Sequence, residues 1–420
     1  MMQRLALTFI FVAVTVGSAG ADPLPTAKPE SVGLSSARLE RLARAIRKDV
    51  EQGKMPGAVV AITRRGKLVY HEAFGFVDKA ANRPMPKDAI FALASMTKPM
   101  AAVATLMLAE QGDLLLNDPI GNYLPQLKNM KVSTGAGDGT TTVAAKRQPT
   151  LQDMLRHTAG VSYGNRGDTP LHKLYTSKLR GANDMGSAQL LEELGKLPLH
   201  YEPGTQWDYS YGLDIAALAV EKVTKKSFGA FLQERVFGPL GMTDTQFVVP
   251  AAKAARIAKP LPLDPETGRA PTFREPVKPW QYECGGGCAS GTATDYMRFA
   301  LMLLNKGTFE GTRLLSRKTV EYMTADHLDA DVDVSRLHEF AVEHMDGFGF
   351  GLGVAVRRHA GVSGVPGSAG EFMWSGAQGT MFWVDPKEEL AVVFLANTPG
   401  PVRRHYRQLV KNLVVQSIAD

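Results

Sequence analysis

Ser95-Met96-Thr97-Lys98 pairs a hydroxyl with an amine three residues on. A serine hydroxyl is a poor nucleophile at neutral pH and needs a proton acceptor within hydrogen-bond reach. Residues three apart on a helix share a face, about 5–6 Å apart at Cβ, so a lysine there can reach back to the serine. Met100, Val103, Met107 and Leu108 follow at helical spacing, and Gly112 supplies a stop, which predicts a helix over 95–111. Pro99 is tolerated only near a helix start, so Ser95 stands at its entrance and Lys98 within the first turn. The chemistry on offer is covalent acyl transfer through Ser95.

Two further stretches could complete such a site. Trp207-Asp208-Tyr209-Ser210-Tyr211 follows the Pro203-Gly204 turn and leads into a helical pattern. A tyrosine at that corner, beside a lysine ammonium, can act as general base. Trp374-Ser375-Gly376-Ala377 joins one strand pattern to the next, and its small residues leave backbone N–H groups to meet a developing oxyanion.

The elements that must hold these residues fall into an order. Ser35 to Gln52 reads as an amphipathic helix, and Gly57–Thr63 and Lys67–Gly75 as strands of a hairpin. Phe348–Val356, Phe372–Trp374, Thr380–Asp385 and Leu390–Asn397 read as strands, and Val402–Ile418 as a closing helix. Between them lie helical patterns at 95–111, 150–157, 187–195, 211–224, 228–236 and 294–305, with Ser133–Pro149 as an excursion or hairpin. Strands at both ends and helices between predict an α+β fold. One antiparallel sheet is built from 22–94 and 306–420, and 95–305 is an inserted, mainly helical lobe. The cleft between them is the natural site.

The bulk of the chain narrows its class. Its 420 residues are 44% hydrophobic and 21% charged, enough for a large core. Residues 1–21 carry Arg4, an apolar run from Leu5 to Val16 and a small-residue end at Ala19-Gly20-Ala21, the pattern of a secretory signal, which implies export to the periplasm or medium. No stretch is expected to span a membrane. The formal charge of +6 is dispersed, which argues against a nucleic-acid partner. Cys284 and Cys288 flank three glycines; they either close a small ring in an oxidising compartment or remain free thiols in a glycine turn. They make a poor metal site. His338-Glu339 and His344 are spaced by six, which puts the histidines on different helix faces, unlike an i, i+4 zinc pair. Gly160-Val161-Ser162-Tyr163-Gly164 fits G-x-S-x-G but lacks the strand-to-helix setting of a nucleophile elbow, and His157 reads as structural.

Taken together, Ser95-x-x-Lys98, Tyr209-Ser210-Tyr211 and Trp374-Ser375-Gly376 resemble the three motifs of the serine β-lactamase and penicillin-binding protein superfamily, most nearly its class C-like branch and the family VIII carboxylesterases. Leu151–Gly160, Glu202–Thr205, Phe237–Met242 and Ser290–Asp295 resemble further signature segments, so the likeness runs from about residue 30 to the C-terminus. The resemblance implies a β-lactamase/transpeptidase-like fold and no cofactor or metal. It implies Ser95 as nucleophile, Lys98 and Tyr209 as proton carriers, and the N–H groups of Ser95 and Ala377 as oxyanion hole. Trp374, Ser375, Gly376 and Tyr211 would then meet substrate. Two positions depart from the lactamase pattern: Trp374 replaces a lysine and Tyr211 an asparagine. Those losses favour a small, uncharged ester over a β-lactam or a D-amino-acid peptide. A non-catalytic relative of the fold would have no chemical need for Ser95, Lys98 and Tyr209 together.

Overall fold

The computed structural model describes residues 22–273, 275–339 and 345–420. In chain order, helix α1 (Ser36–Glu51) precedes strands β1 (Gly57–Arg64), β2 (Lys67–Asp78), β3 (Arg83–Pro84) and β4 (Phe91–Ala92). Then come α2 (Thr97–Gln111), the hairpin β5 (Lys131–Ser133) and β6 (Thr142–Ala144), and helices α3 (Leu151–Leu155), α4 (Pro170–Lys178), α5 (Ser187–Gly195), α6 (Gly212–Thr224) and α7 (Phe228–Leu232). The chain returns through β7 (Ser290–Gly291), α8 (Ala293–Leu304), the short hairpin β8 (Thr308–Phe309) and β9 (Thr312–Arg313), α9 (Arg317–Met323) and α10 (Ser335–Glu339). It ends with β10 (Phe348–Phe350), β11 (Ala355–Arg357), β12 (Phe372–Ser375), β13 (Met381–Asp385), β14 (Leu390–Ala396) and α11 (Val402–Val415).

Eight strands form one antiparallel sheet in the order β10-β11-β12-β13-β14-β1-β2-β3. The join between the termini is β1 against β14, in register from Ala58↔Ala396 to Arg64↔Leu390. Every residue of β1 and β14 is buried because helices cover both faces, so these strands read as continuous apolar runs rather than alternating ones. Helices α1 and α11 pack together beside the sheet; Leu39, Leu42, Ala43, Ile46 and Val50 form the buried stripe of α1.

The structure departs from the sequence pattern in four places. Phe348–Val356 is not one strand: Gly353 adopts φ +78°, and the Gly351 N–H donates to Val354 O at 2.8 Å, folding it into the β10–β11 hairpin. Helix α8 lies within the 95–305 segment yet packs on β14, β1 and β13, as a layer of the sheet rather than of the lobe. The 228–236 helix keeps α geometry only to Leu232 and continues as a wider π-type turn at Gln233–Phe237. Helix α2 is buried from Thr97 to Leu108 on every face, not one, so it is the central helix of the molecule. Ser133–Pro149 holds the second strand of the β5–β6 hairpin. The segment 1–21 lies outside the described residues, as do His344 and the side chains of His338 and Glu339. No helix among the described residues is long and apolar enough to cross a membrane.

Candidate active site

Ser95 is reached through an unusual piece of backbone. Strand β4 pairs with β7, and the Leu93 N–H continues the ladder to Ala289 O at 2.9 Å. Ala94 then takes φ +48°, left-handed for a residue with a Cβ, which costs on the order of 1–2 kcal/mol. Thr97 holds that conformation: its Oγ1 donates to Ala94 O at 2.7 Å and accepts from the Ala289 N–H at 3.1 Å. A single 3-10 turn, Ala94–Met96, carries Ser95 half-exposed into α2, and the Tyr296 hydroxyl donates to Met96 O at 2.9 Å.

Lys98 is 1% exposed, one turn into α2. Its Nζ donates to Ser95 Oγ at 3.4 Å and to Gly286 O at 2.5 Å, and lies 4.4 Å from the centroid of the Tyr209 ring. Tyr209 sits in the turn before α6. That turn is tied to the lobe by Asp208 N–H to His157 O and to the C-terminal segment by Trp207 N–H to Asp333 O, both at 2.9 Å. Its ring packs on His157, Trp207 and Trp374 at 4.7, 6.2 and 5.6 Å between centroids, and the Arg166 guanidinium lies 5.6 Å above it. Tyr211 is half-buried, its ring 4.5 Å from that of Tyr163.

The third motif closes against the first. Strand β12 ends at Ser375, and the Gly376 N–H donates to Thr380 O at 2.8 Å, forming a tight turn. Thr380 Oγ1 donates to Leu93 O at 3.1 Å, two residues before Ser95. A Cβ on Gly376 would lie 2.3 Å from that same Leu93 oxygen, so the approach requires glycine. Arg407, buried on α11, donates to the carbonyls of Gly376 and Thr380 from beneath, and burial pushes its guanidinium down to about 9. Ala377 is exposed at the tip of the turn. Trp374 is 1% exposed, wedged between Tyr209 and Phe350, so most of its ring supports the site from behind.

The structure thus gathers Ser95, Lys98 and Tyr209, with the Trp374–Ala377 turn against the strand that leads into Ser95. It sets the other candidates aside. Ser162 is buried, with its Oγ accepting from the Gly164 N–H at 3.0 Å, and the element just before it is helix α3 rather than a strand. His157 is fully buried, its Nδ1 3.1 Å from Ser210 Oγ; burial, with Lys98 and Arg166 nearby, holds it well below the usual histidine range. Among the neighbouring aromatic side chains, Trp207, Phe350 and Trp383 are core, Tyr282 is nearly so, and Trp280 is half-buried. Cys284 and Cys288 form a disulfide.

Sequence reasoning missed Asp214. It lies in the first turn of α6, and its carboxylate accepts from the Gly286 N–H at 3.0 Å and from the Tyr163 hydroxyl at 3.1 Å. Burial raises its pKa against the pull of the Lys98 ammonium. The available signal was a lone acid inside the otherwise apolar run Leu213–Val220.

The fold thus places a serine at the start of α2 with a lysine one helical turn away and a tyrosine from a neighbouring segment beside that lysine. The chain belongs to the beta-lactamase family, whose model matches residues 42–416. It is 35% identical over 358 residues to Protein Rv1367c of Mycobacterium tuberculosis, covering 84% of this chain and 88% of that one. It is 29% identical over 395 residues to esterase EstB of Burkholderia gladioli, covering 88% and 93%. Among solved structures it is similar to EstCE1, a hydrolase with promiscuous acyltransferase activity (TM-score 0.73, 24% identity, 90% and 98% covered). It is also similar to the unliganded selenomethionyl form of simvastatin synthase from Aspergillus terreus (TM-score 0.75, 24% identity, 90% and 98% covered). The protein is a serine hydrolase or acyl-transfer enzyme of the β-lactamase-like fold.

Proposed function

We propose that this protein is an exported carboxylesterase that hydrolyses small, uncharged esters through an acyl-enzyme on Ser95. The observation that carries the reading is the approach of Lys98 Nζ to Ser95 Oγ at 3.4 Å with the Tyr209 ring 4.4 Å from the same ammonium. Lys98 and Tyr209, a coupled pair, take the Ser95 proton as its oxygen attacks the ester carbonyl, and return it to the departing alcohol. The N–H groups of Ser95 and Ala377 hold the oxyanion, and the same pair then activates the deacylating water.

Substrate class is argued from Trp374 and Tyr211. Neither offers the cation or carboxamide that would clamp the carboxylate and amide of a β-lactam or D-amino-acid peptide. The esterase relative from Burkholderia gladioli supports this reading over the lactamase one. Transfer of the acyl group to an alcohol instead of water is the second reading, favoured by relatives that include acyltransferase mokF of Monascus pilosus, 31% identical over 370 residues. Export is supported by the signal-like composition of residues 1–21 and by the disulfide, which persists in oxidising compartments.

The test is hydrolysis of p-nitrophenyl butyrate beside a chromogenic cephalosporin, with mass spectrometry of the trapped acyl-enzyme. Ester turnover with an acyl mass on Ser95, abolished by Ser95→Ala, is expected. Turnover that survives Ser95→Ala sinks the reading. Faster cleavage of the cephalosporin returns the protein to the lactamases, and product that partitions to added alcohols favours transfer.

A further inference from the structure

The disulfide loop reaches the reacting groups. Between Cys284 and Cys288 lie Gly285, Gly286 and Gly287, and the middle peptide faces two ways. Gly286 O accepts from Lys98 Nζ at 2.5 Å, a shorter contact than the 3.4 Å from that nitrogen to Ser95 Oγ. Gly286 N–H donates to Asp214 Oδ1 at 3.0 Å, and Asp214 also accepts from Tyr163 and is hydrogen-bonded by Tyr282. One residue of this loop therefore links the lysine of α2 to the first turn of α6, the helix that follows Tyr209.

Glycines make that position accessible. A Cβ on Gly285 would lie 2.4 Å from Leu213 O and 2.6 Å from Ala217 Cβ, and one on Gly286 2.2 Å from Asp214 Oδ2. A Cβ on Gly287 would have Ala94 C and Ser95 N as its neighbours, at 3.5 and 3.8 Å. The same three glycines give the segment the greatest conformational freedom a tripeptide can have. Its internal hydrogen bonds are long: the N–H groups of Gly287 and Cys288 both reach Cys284 O at 3.4 Å. The covalent bridge, with Cα atoms 5.3 Å apart, adds a restraint to the two hydrogen bonds that Gly286 makes with Lys98 and Asp214.

We propose that the Cys284–Cys288 disulfide is a positioning element for Lys98, so that acyl transfer depends on the oxidation state of this bridge. The proposal rests on the assignment of Ser95 and Lys98 given above. A dithiol opens the bridge by thiolate attack on one sulfur, releasing the other as a thiolate. The second thiol then displaces the mixed disulfide, so two electrons and two protons pass to the cysteines and the reagent leaves as a cyclic disulfide. Once open, the glycine loop no longer holds Gly286 O on the ammonium. Lys98 loses its orientation toward Ser95, while the faces that bind substrate stay in place. Cys284 and Cys288 are 7% and 5% exposed, so reduction is slow and requires the loop to open locally.

The experiment compares oxidised wild type, wild type reduced with dithiothreitol, and the double variant Cys284→Ser/Cys288→Ser on p-nitrophenyl butyrate. Circular dichroism and melting temperature are recorded for each. Turnover by the oxidised protein that Ser95→Ala abolishes is established first; its absence would overturn the esterase assignment and this proposal together. With it in hand, the double variant and the reduced wild type should both lose about tenfold or more in kcat with KM nearly unchanged, as expected for a misplaced catalytic group. Their pH–rate profiles should shift because the proton-carrying pair has been disturbed. Reoxidation with glutathione disulfide should restore only the wild type. A kcat and pH profile equal to those of the oxidised protein would overturn the proposal alone. So would a loss of activity that merely tracks global unfolding.

Discussion

Gly376→Ala tests whether the third motif must touch the backbone that leads into the nucleophile. The added Cβ would stand 2.3 Å from Leu93 O and 2.2 Å from Thr380 Oγ1, whereas ordinary contacts begin at 3.4 Å. The Thr380 hydroxyl can rotate away, but Leu93 is bound on its other side to Ala289 O at 2.9 Å and precedes the strained Ala94. Relief therefore requires the Gly376–Gly379 turn to retreat by about 1 Å, the difference between contact at 3.4 Å and 2.3 Å. Overpacking of this kind costs about 1–3 kcal/mol of stability, and the enzyme should stay folded. The larger effect falls on rate. A shift of that size carries the Ala377 N–H away from the oxyanion, and losing one such donor costs about 10²–10³ in kcat. Steady-state hydrolysis of p-nitrophenyl butyrate, with urea denaturation alongside, reads both quantities. Gly361→Ala is the control, since its Cβ would meet nothing within 4 Å. A Gly376→Ala enzyme with wild-type kcat would refute the placement of the oxyanion hole at this turn.

Three other outcomes are expected. Tyr209→Phe should lower kcat by about 10²–10⁴ with little change in melting temperature, and near-normal turnover would leave Lys98 as sole base. Glu371 is 0% exposed and accepts from Arg357 Nε at 2.8 Å and Lys411 Nζ at 2.7 Å. Glu371→Ala strands two buried cations and should cost about 3–5 kcal/mol in a urea titration, with a loss under 1 kcal/mol contradicting the ion cluster. Finally, stability should fall as pH drops from about 6.5. Burial depresses His157, His172 and His200, the last to about 3, so the unfolded chain binds more protons and unfolding becomes easier in acid. Asp208 and Asp295, each raised to about 6 by burial, oppose this, because their contribution weakens the fold as pH rises toward 6. Melting curves between pH 7 and 4.5 should still move down in acid, and His200→Gln should flatten the slope; a melting temperature that rises toward pH 4.5 would show the carboxylates dominating.

Local pattern carried much of the reading. Short apolar runs bounded by Gly and Pro marked β1, β13 and β14, and the heptad-like stripe of α1 was legible from Leu39 to Val50. Helices α4 and α9 were not, because each is short and largely polar, and depends on a Thr169 or Ser316 cap for its start. The β10–β11 hairpin was hidden because glycine at alternate positions resembles an interrupted strand until Gly353 turns left-handed. Glycine spacing cannot announce such a turn.

For the site, the sequence by itself determined that the proposed nucleophile Ser95 and the amine of Lys98 are neighbours. A serine and a lysine three apart at a helix start are neighbours by local geometry alone, whatever surrounds them. What surrounds them was settled by tertiary contacts among segments at least 72 residues apart. The meeting of Tyr209 with Lys98, the contact of Gly376 with Leu93 and the Gly286 bridge between Lys98 and Asp214 all depend on how helices and sheet stack. Helical periodicity operates over four residues and strand alternation over two, so neither specifies which distant carbonyl an ammonium will meet. Only close packing around α2, buried on all sides, does that.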